Sequence, residues 1–213
     1  MSELQQRAQH ITTLLKEEYP DSLCSLAYPD AFHLLVSVRL AAQCTDARVN
    51  LVMPALMARF GTPQLMAKAD VAQVEQLVHS TGFFRAKARD LVAMAGQLCD
   101  RHGGQVPQSM EELTALSGVG RKSANLIRGD IFGLPAVVAD THLIRITNLL
   151  GLANSQNPVK VEQQLVQLLD PQESNDFCHR CVLHGRAVCI ARRPQCGKCV
   201  LRDACDYGRE IFE

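Results

Sequence analysis

The chain reads as an all-α protein, on three observations. Apolar residues recur at the three- and four-residue spacing of a helix face. No stretch shows the period-two alternation of a half-buried strand. Glycine and proline cut the chain into segments of ordinary helix length. An apolar content of 47% over 213 residues is ample for a packed core, in one large domain or two small ones.

Leu4, Ala8, Ile11, Leu14 and Leu15 predict a first helix that Tyr19 and Pro20 stop. Asp30, after Pro29, is placed to cap a helix carrying Phe32, Leu35, Val36 and Leu40. Asp70 is placed likewise before Val71, Val74, Leu77 and Val78. Ser109 with Glu112 three residues on has the spacing of a capping box, predicting a short helix to about Leu116. Further breaks fall at Gly61 to Pro63, Gly82, Gly103 to Pro107, Gly133 to Pro135 and Pro158, and no repeat of fixed period suggests a solenoid.

Basic and acidic residues balance at 22 each, so the whole molecule has no net field to draw in a polyanion. Affinity for nucleic acid must then come from local patches. Arg121, Lys122 and Arg128 form one, and Arg186, Arg192, Arg193, Lys198 and Arg202 another. No apolar run approaches the roughly 20 residues of a membrane-spanning helix, and Met1 to His10 is polar, so a cytoplasmic protein without a membrane partner is expected.

Four of the nine cysteines, Cys189, Cys196, Cys199 and Cys205, fall in the last 25 residues as Cys-x6-Cys-x2-Cys-x5-Cys. So short a segment can bring four thiolates to one centre. The ligand set suits a structural zinc ion or an iron–sulfur cluster. Two disulfides rank last, because the cysteine count is odd and a reducing compartment is expected. Cys178 and Cys181 lie just upstream, and small buried cysteines on a helix account for them.

The segment Leu116-Ser117-Gly118-Val119-Gly120-Arg121-Lys122-Ser123-Ala124 sets two glycines about one apolar residue between two predicted helices. Glycine allows a tight turn, and backbone donors at the start of the next helix favour an anion such as phosphate. On pattern alone, a glycine turn that holds nothing is as good a reading.

The ordered set is specific. That hairpin through Asn125, then Ala139-Asp140-Thr141-His142, then the cysteine loop, together resemble the endonuclease III family. Leu40 to Asp46, Gly82-Phe83-Phe84 with Lys87-Ala88, and Leu183-His184-Gly185-Arg186 add to the likeness, which runs from about Leu34 to Cys205. The resemblance implies a two-lobed helix-hairpin-helix DNA glycosylase fold. Residues 24–134 would form a six-helix lobe with the helix-hairpin-helix, and residues 1–23 with 135–213 the lobe bearing a [4Fe-4S] cluster loop at 189–205. It further implies a bifunctional DNA glycosylase and abasic-site lyase, monomeric, acting on double-stranded DNA with damaged bases or abasic sites, with oxidised or ring-saturated pyrimidines as substrates.

On that resemblance Lys122 attacks the sugar as nucleophile and Asp140 stabilises the developing positive charge. An amine at its ordinary pKa of about 10.4 is neutral in roughly one molecule in a thousand near pH 7.4, so the chemistry requires a desolvated setting. Gln43 and Phe83 stand where the family inserts side chains into the stack that an extruded base has left. Gly118, Gly120, Arg121, His142, Arg193 and Lys198 would meet DNA. Cys189, Cys196, Cys199 and Cys205 would hold the cluster. Bland alternatives are a core aromatic for Phe83, a polar helix end for Gln43 and a helix cap for Asp140. Phe83 departs from the family's usual leucine, and Arg128-Gly129-Asp130 is expected to interrupt the helix after the lysine, with an acid close to DNA. Rival functions are a monofunctional glycosylase of the same superfamily, which would lack the lysine, and a non-catalytic helix-hairpin-helix binding module.

Overall fold

A computed structural model describes residues 1–212. In chain order its α-helices are α1 (Glu3–Glu18), α2 (Ala31–Ala41), α3 (Asp46–Phe60), α4 (Pro63–Ala67), α5 (Val71–Val78), α6 (Phe84–His102), α7 (Met110–Thr114), α8 (Arg121–Phe132), α9 (Thr141–Leu149), α10 (Pro158–Val166), α11 (Ser174–Ala187) and α12 (Asp206–Phe212). Short 3-10 turns occupy His79–Thr81, Cys196–Lys198 and Arg202–Ala204. Among the described residues there is no β-strand, and no helix is long and apolar enough to cross a membrane.

The helix starts follow the sequence. Asp30, Thr45, Asp70, Ser109, Asp140 and Asn157 each accept a first-turn backbone N–H, satisfying donors that the helix itself leaves open. Ser109 Oγ both accepts from Glu112 N at 3.1 Å and donates to its carboxylate at 2.6 Å. α7 stops at Thr114, slightly short of the expected Leu116.

The chain divides into two compact units. One, Cys24–Gly133, holds seven α-helices, α2 to α8, where six were expected, about a single core. α6 is its axis: Ala88, Leu91, Met94, Ala95 and Leu98 line one face and are fully buried. α4 and α5 pack on that helix, while α2 and α7 pack on α8. Burying a leucine-sized side chain contributes about 1.5–3 kcal/mol, so this shared core is the main support of the unit.

Residues Arg128-Gly129-Asp130 do not interrupt α8, contrary to expectation. The helix runs through to Phe132, where Gly133 ends it in the left-handed conformation at φ 61°. One glycine costs a helix interior only about 1 kcal/mol, and buried Ala124 and Ile127 anchor the segment against α2 and α7. Asp130 sits beside Cys24 and Tyr28 of the same unit. Burial first, then the Asp130 charge, drives the Cys24 thiol and the Tyr28 phenol each up to about 12.

The other unit, Met1–Leu23 with Leu134–Glu213, joins both chain ends. α1 and α9 both pack on α11. Buried Arg180 donates to Tyr19 O at 3.2 Å and pairs with Glu173 and Asp176, each at 3.2 Å, tying the end of α1 to α11. Arg7 reaches Asp206 at 2.7 Å and Gly151 O at 3.0 Å, holding α12 to the same body.

Candidate functional site

The glycine hairpin is bolted to its unit before α8 begins. Ser117 N donates to Gln97 Oε1 at 2.7 Å, Ser117 Oγ donates to Asp90 at 3.2 Å, and Asp90 pairs with Arg39 at 2.6 Å. Gly118 has φ +74°. Gly120 is the N-cap residue of α8 and supplies no capping side chain. The first turn of α8 therefore begins without a capping side-chain oxygen to accept from its N–H groups, at the electropositive end of a twelve-residue helix. Arg121 and Lys122 occupy that turn, both exposed, so the desolvated setting expected for Lys122 is not provided by the chain itself.

Asp140 belongs to the other unit. It is the N-cap of α9, accepting from Leu143 N at 2.7 Å, so the capping reading of this carboxylate is correct. The apolar segment before it, Ala136 to Ala139, is buried. Ala136 N donates to Ser174 Oγ at 3.1 Å and Val138 N to Cys178 Sγ at 3.3 Å, docking the segment on α11. His142 follows in the first turn of α9, against Gly185, where a β-carbon would stand 2.5 Å from His142 Nδ1. Gly185 thus permits the close crossing of α9 and α11.

Gln43 and Phe83 both lie in the left-handed region, at φ 53° and 48°. Arg192 in the cysteine loop, at φ 66°, is the other described non-glycine residue there. Each such position costs on the order of 1–3 kcal/mol and persists only where its surroundings force it. Ala42, at φ −57° and ψ 112°, precedes Gln43, and Cys44 N returns to Ala41 O at 3.0 Å. That is a type II turn with Gln43 where glycine is preferred. Gln43 is exposed. Phe83 is 67% exposed, which removes the core-aromatic reading. Its neighbour Phe84 takes the inward place, packed on His79 with ring centroids 4.4 Å apart.

Cys189, Cys196, Cys199 and Cys205 line one cavity, together with His184. Among the described residues no three His, Cys, Asp or Glu side chains close to the geometry of a single metal ion. Donors converge on the sulfurs instead. Arg145 Nη1 lies 3.3 Å from Cys189 Sγ, Gly208 N 3.4 Å from Cys205 Sγ, and His184 Nε2 3.4 Å from Cys199 Sγ. The Tyr19 hydroxyl is 3.1 Å from His184 Nδ1. Assigning it as donor to Nδ1 leaves the imidazole proton on Nε2, facing Cys199. Burial drives His184 down to about 4, so the ring is neutral near pH 7. Burial also raises the thiols of Cys189 and Cys205, and that of Cys199 to about 11, so a bound cation must displace their protons. Thiols set around a cavity and ringed by N–H donors fit an anionic multi-iron cluster better than one zinc ion. Arg192, Arg193 and Lys198 are exposed on this loop, whereas Arg202 is paired with Asp203 at 2.7 Å.

A family model for HhH-GPD superfamily base excision DNA repair proteins matches residues 36–171. Endonuclease III of Synechocystis sp. is 43% identical over 206 residues, covering 96% of this chain and 94% of that protein. Endonuclease III of Escherichia coli is 35% identical over 201 residues, covering 94% and 95%. The chain belongs to the endonuclease III family. A solved structure of a trapped endonuclease III–DNA covalent intermediate, an estranged-adenine complex, superposes with a TM-score of 0.91 at 34% identity, over 98% of this chain and 99% of that one.

As an endonuclease III family member the chain carries supporting residues whose contacts the sequence did not reveal. Arg145 and His184 serve the cysteine sulfurs. Cys178 does not line the cysteine cavity. It accepts a backbone N–H and donates to Ser174 O at 3.2 Å, an internal role on α11. Lys87, within the Lys87-Ala88 pair noted above, is fully buried. Only its helical register, in phase with Leu91 and Met94, hinted at that.

Proposed function

We propose that this chain is a bifunctional DNA glycosylase and abasic-site lyase of base excision repair, removing oxidised or ring-saturated pyrimidines from duplex DNA. The observation that carries the reading is Lys122, an exposed amine in the first turn of an uncapped helix whose leading hairpin is fixed to the core. Family membership supports the class of reaction.

Lys122 Nζ attacks the sugar C1′ as the bond to the damaged base breaks, and the base leaves with the bonding electron pair. Loss of a proton from the nitrogen and breaking of the C1′–O4′ bond, with O4′ taking the electron pair and a proton, leave a Schiff base between Nζ and C1′ of the opened sugar. Removal of a C2′ proton then expels the 3′ phosphate by β-elimination, and water frees the lysine. The Asp140 carboxylate stabilises the positive charge on the sugar and assists the proton transfers. Backbone donors of the hairpin and the start of α8 bind a phosphate, with Gly118 and Gly120 allowing its approach and Arg121 adding charge. His142, Arg193 and Lys198 take further phosphates. Gln43 and Phe83 fill the gap left by the extruded nucleotide.

Cys189, Cys196, Cys199 and Cys205 would hold a [4Fe-4S] cluster. It would staple the loop between α11 and α12 and present Arg192, Arg193 and Lys198, and no step of base removal needs its electrons.

Borohydride reduction during turnover on a duplex with one ring-saturated pyrimidine is the test. The expected result is a covalent protein–DNA adduct that disappears in Lys122→Gln. An adduct that survives in Lys122→Gln, or base release without any adduct in the unaltered chain, would overturn the lysine mechanism.

A further inference from the structure

Two strained turns of the Cys24–Gly133 unit are fastened by one buried cation. The first turn, Ala41–Cys44, ends α2 and bears Gln43. The second follows the 3-10 turn His79–Thr81, passes through Gly82 at φ 71° and bears Phe83 at φ 48°. Lys87, one turn into α6, has no exposed surface. Its Nζ donates to Leu40 O at 2.8 Å and to Thr81 O at 2.8 Å. Its own backbone N–H donates to Phe83 O at 3.1 Å.

Both acceptors belong to the last residues of helical segments, where carbonyls lack partners and carry partial negative charge. Burying an ammonium without compensation costs several kcal/mol. Packing alone does not require that cost here, since a methionine of similar length would fill the same space. What the ammonium supplies is a pair of directional bonds, one to the carbonyl that leads into each turn. Burial lowers the Lys87 pKa, with Cys44 opposing and Arg39 adding to the shift.

We infer that Lys87 is a positioning residue that locks the Gln43 and Phe83 turns to each other, so that both side chains enter the vacated DNA stack as one rigid unit. This rests on the proposed base-extruding function. The left-handed conformations of Gln43 and Phe83 are held by the shared tie from outside the turns, and loosening it lets each turn relax alone. The loss then falls on the step that needs both side chains in register, not on the chemistry at the sugar.

The test compares two substrates under single turnover, with Lys87→Met and Lys87→Gln beside the unaltered chain. One is a fully paired duplex carrying a ring-saturated pyrimidine. The other carries the same lesion in a one-nucleotide bulge, already unpaired and easily extruded. Displacement of positioning groups by about 1 Å costs up to roughly a hundredfold. On the paired duplex the variants should therefore lose about tenfold or more beyond whatever they lose on the bulge. Equal losses on both substrates, or no loss on either, would overturn the inference. If the unaltered chain acts on neither substrate, the proposed function itself has failed, a result distinct from both.

Should neither variant fold, amide hydrogen exchange on the unaltered chain decides. Residues 41–45 and 81–84 opening with one common free energy would support the shared lock, and separate opening would exclude it.

Discussion

Gly118 lies against the side chain of Arg39 so closely that a β-carbon there would stand 2.5 Å from Nε and 2.6 Å from Cδ. Arg39 cannot retreat freely, because Asp90 holds it at 2.6 Å. The backbone at Gly118 is also left-handed. Gly118→Ala should accordingly destabilise the fold by about 1–3 kcal/mol and lower the melting temperature. At Gly120 a β-carbon meets nothing within 4 Å. Gly120→Ala should melt within about 0.5 kcal/mol of the unaltered chain yet bind duplex DNA more weakly, because the methyl occupies the approach to the amides of α8. Thermal melts with a DNA titration check both halves, and equal melting temperatures would refute the contrast.

Gln43 and Phe83 hold conformations that glycine adopts without strain, although both are exposed. Relief of about 1–2 kcal/mol is set against the extra chain entropy of glycine, about 0.5–1 kcal/mol. Gln43→Gly and Phe83→Gly should therefore keep or slightly raise stability while base release from paired duplexes falls. Loss of stability in parallel with activity would mean that these side chains serve the fold instead.

The all-α class was legible because period, caps and breaks agreed: Asp30, Asp70 and Ser109 start the helices they were read to start. Arg128-Gly129-Asp130 misled because a local break signal was outweighed by the burial of Ala124 and Ile127 in α8. Within the candidate site, the cysteine loop stood out by spacing and the roles proposed for Lys122 and Asp140 came from the family resemblance, whereas the contacts that hold these segments were not visible in the sequence. Lys87, Cys178 and His184 act through backbone groups or sulfurs brought from elsewhere in the chain, and spacing along a sequence does not encode such contacts. For Phe83 the sequence left a core aromatic open beside an inserting side chain, and only its exposure, with Phe84 partly buried in the inward place, removes the core alternative.

Asp140 combines a cap with a carboxylate, and two substitutions separate these roles. Asparagine caps a helix as well as aspartate does, whereas alanine costs about 0.5–2 kcal/mol. Asp140→Asn should keep its melting temperature, Asp140→Ala should lose it, and both should slow base release by on the order of a hundredfold. Single-turnover rates beside melting curves make the comparison. Full activity in Asp140→Asn would leave the residue with a capping role alone.

Glu173 supplies a pH dependence. A hydrogen bond from Lys16 at 2.6 Å, with Arg180 beside it, holds its carboxyl below the ordinary 4.5. A carboxyl that binds its proton more weakly when folded stabilises the fold above the unfolded value. That contribution is lost as pH falls from 4.5 through the lower folded value. Melting temperature should decline over that window, and Glu173→Gln should flatten the decline while starting from a lower plateau near pH 7. A window unchanged in Glu173→Gln would assign the acid sensitivity to other groups.

Cys199 lines the cavity and Cys178 does not, so iron content tests the proposed ligand set. Cys199 lines the cavity, so Cys199→Ala should yield protein with little bound iron and a lower melting temperature. Cys178 accepts the N–H of Val138 in the buried segment that leads to Asp140. Cys178→Ala leaves that donor without this bond, which should cost about 1–3 kcal/mol and slow base release while iron per chain stays at the unaltered level. Chelation of iron from the unaltered chain should resemble Cys199→Ala, not Cys178→Ala, because the loop between α11 and α12 has only a small apolar contribution from Leu201 to hold it once the sulfurs are released. Iron lost equally from both variants would place Cys178 among the ligands and require a different arrangement of the loop.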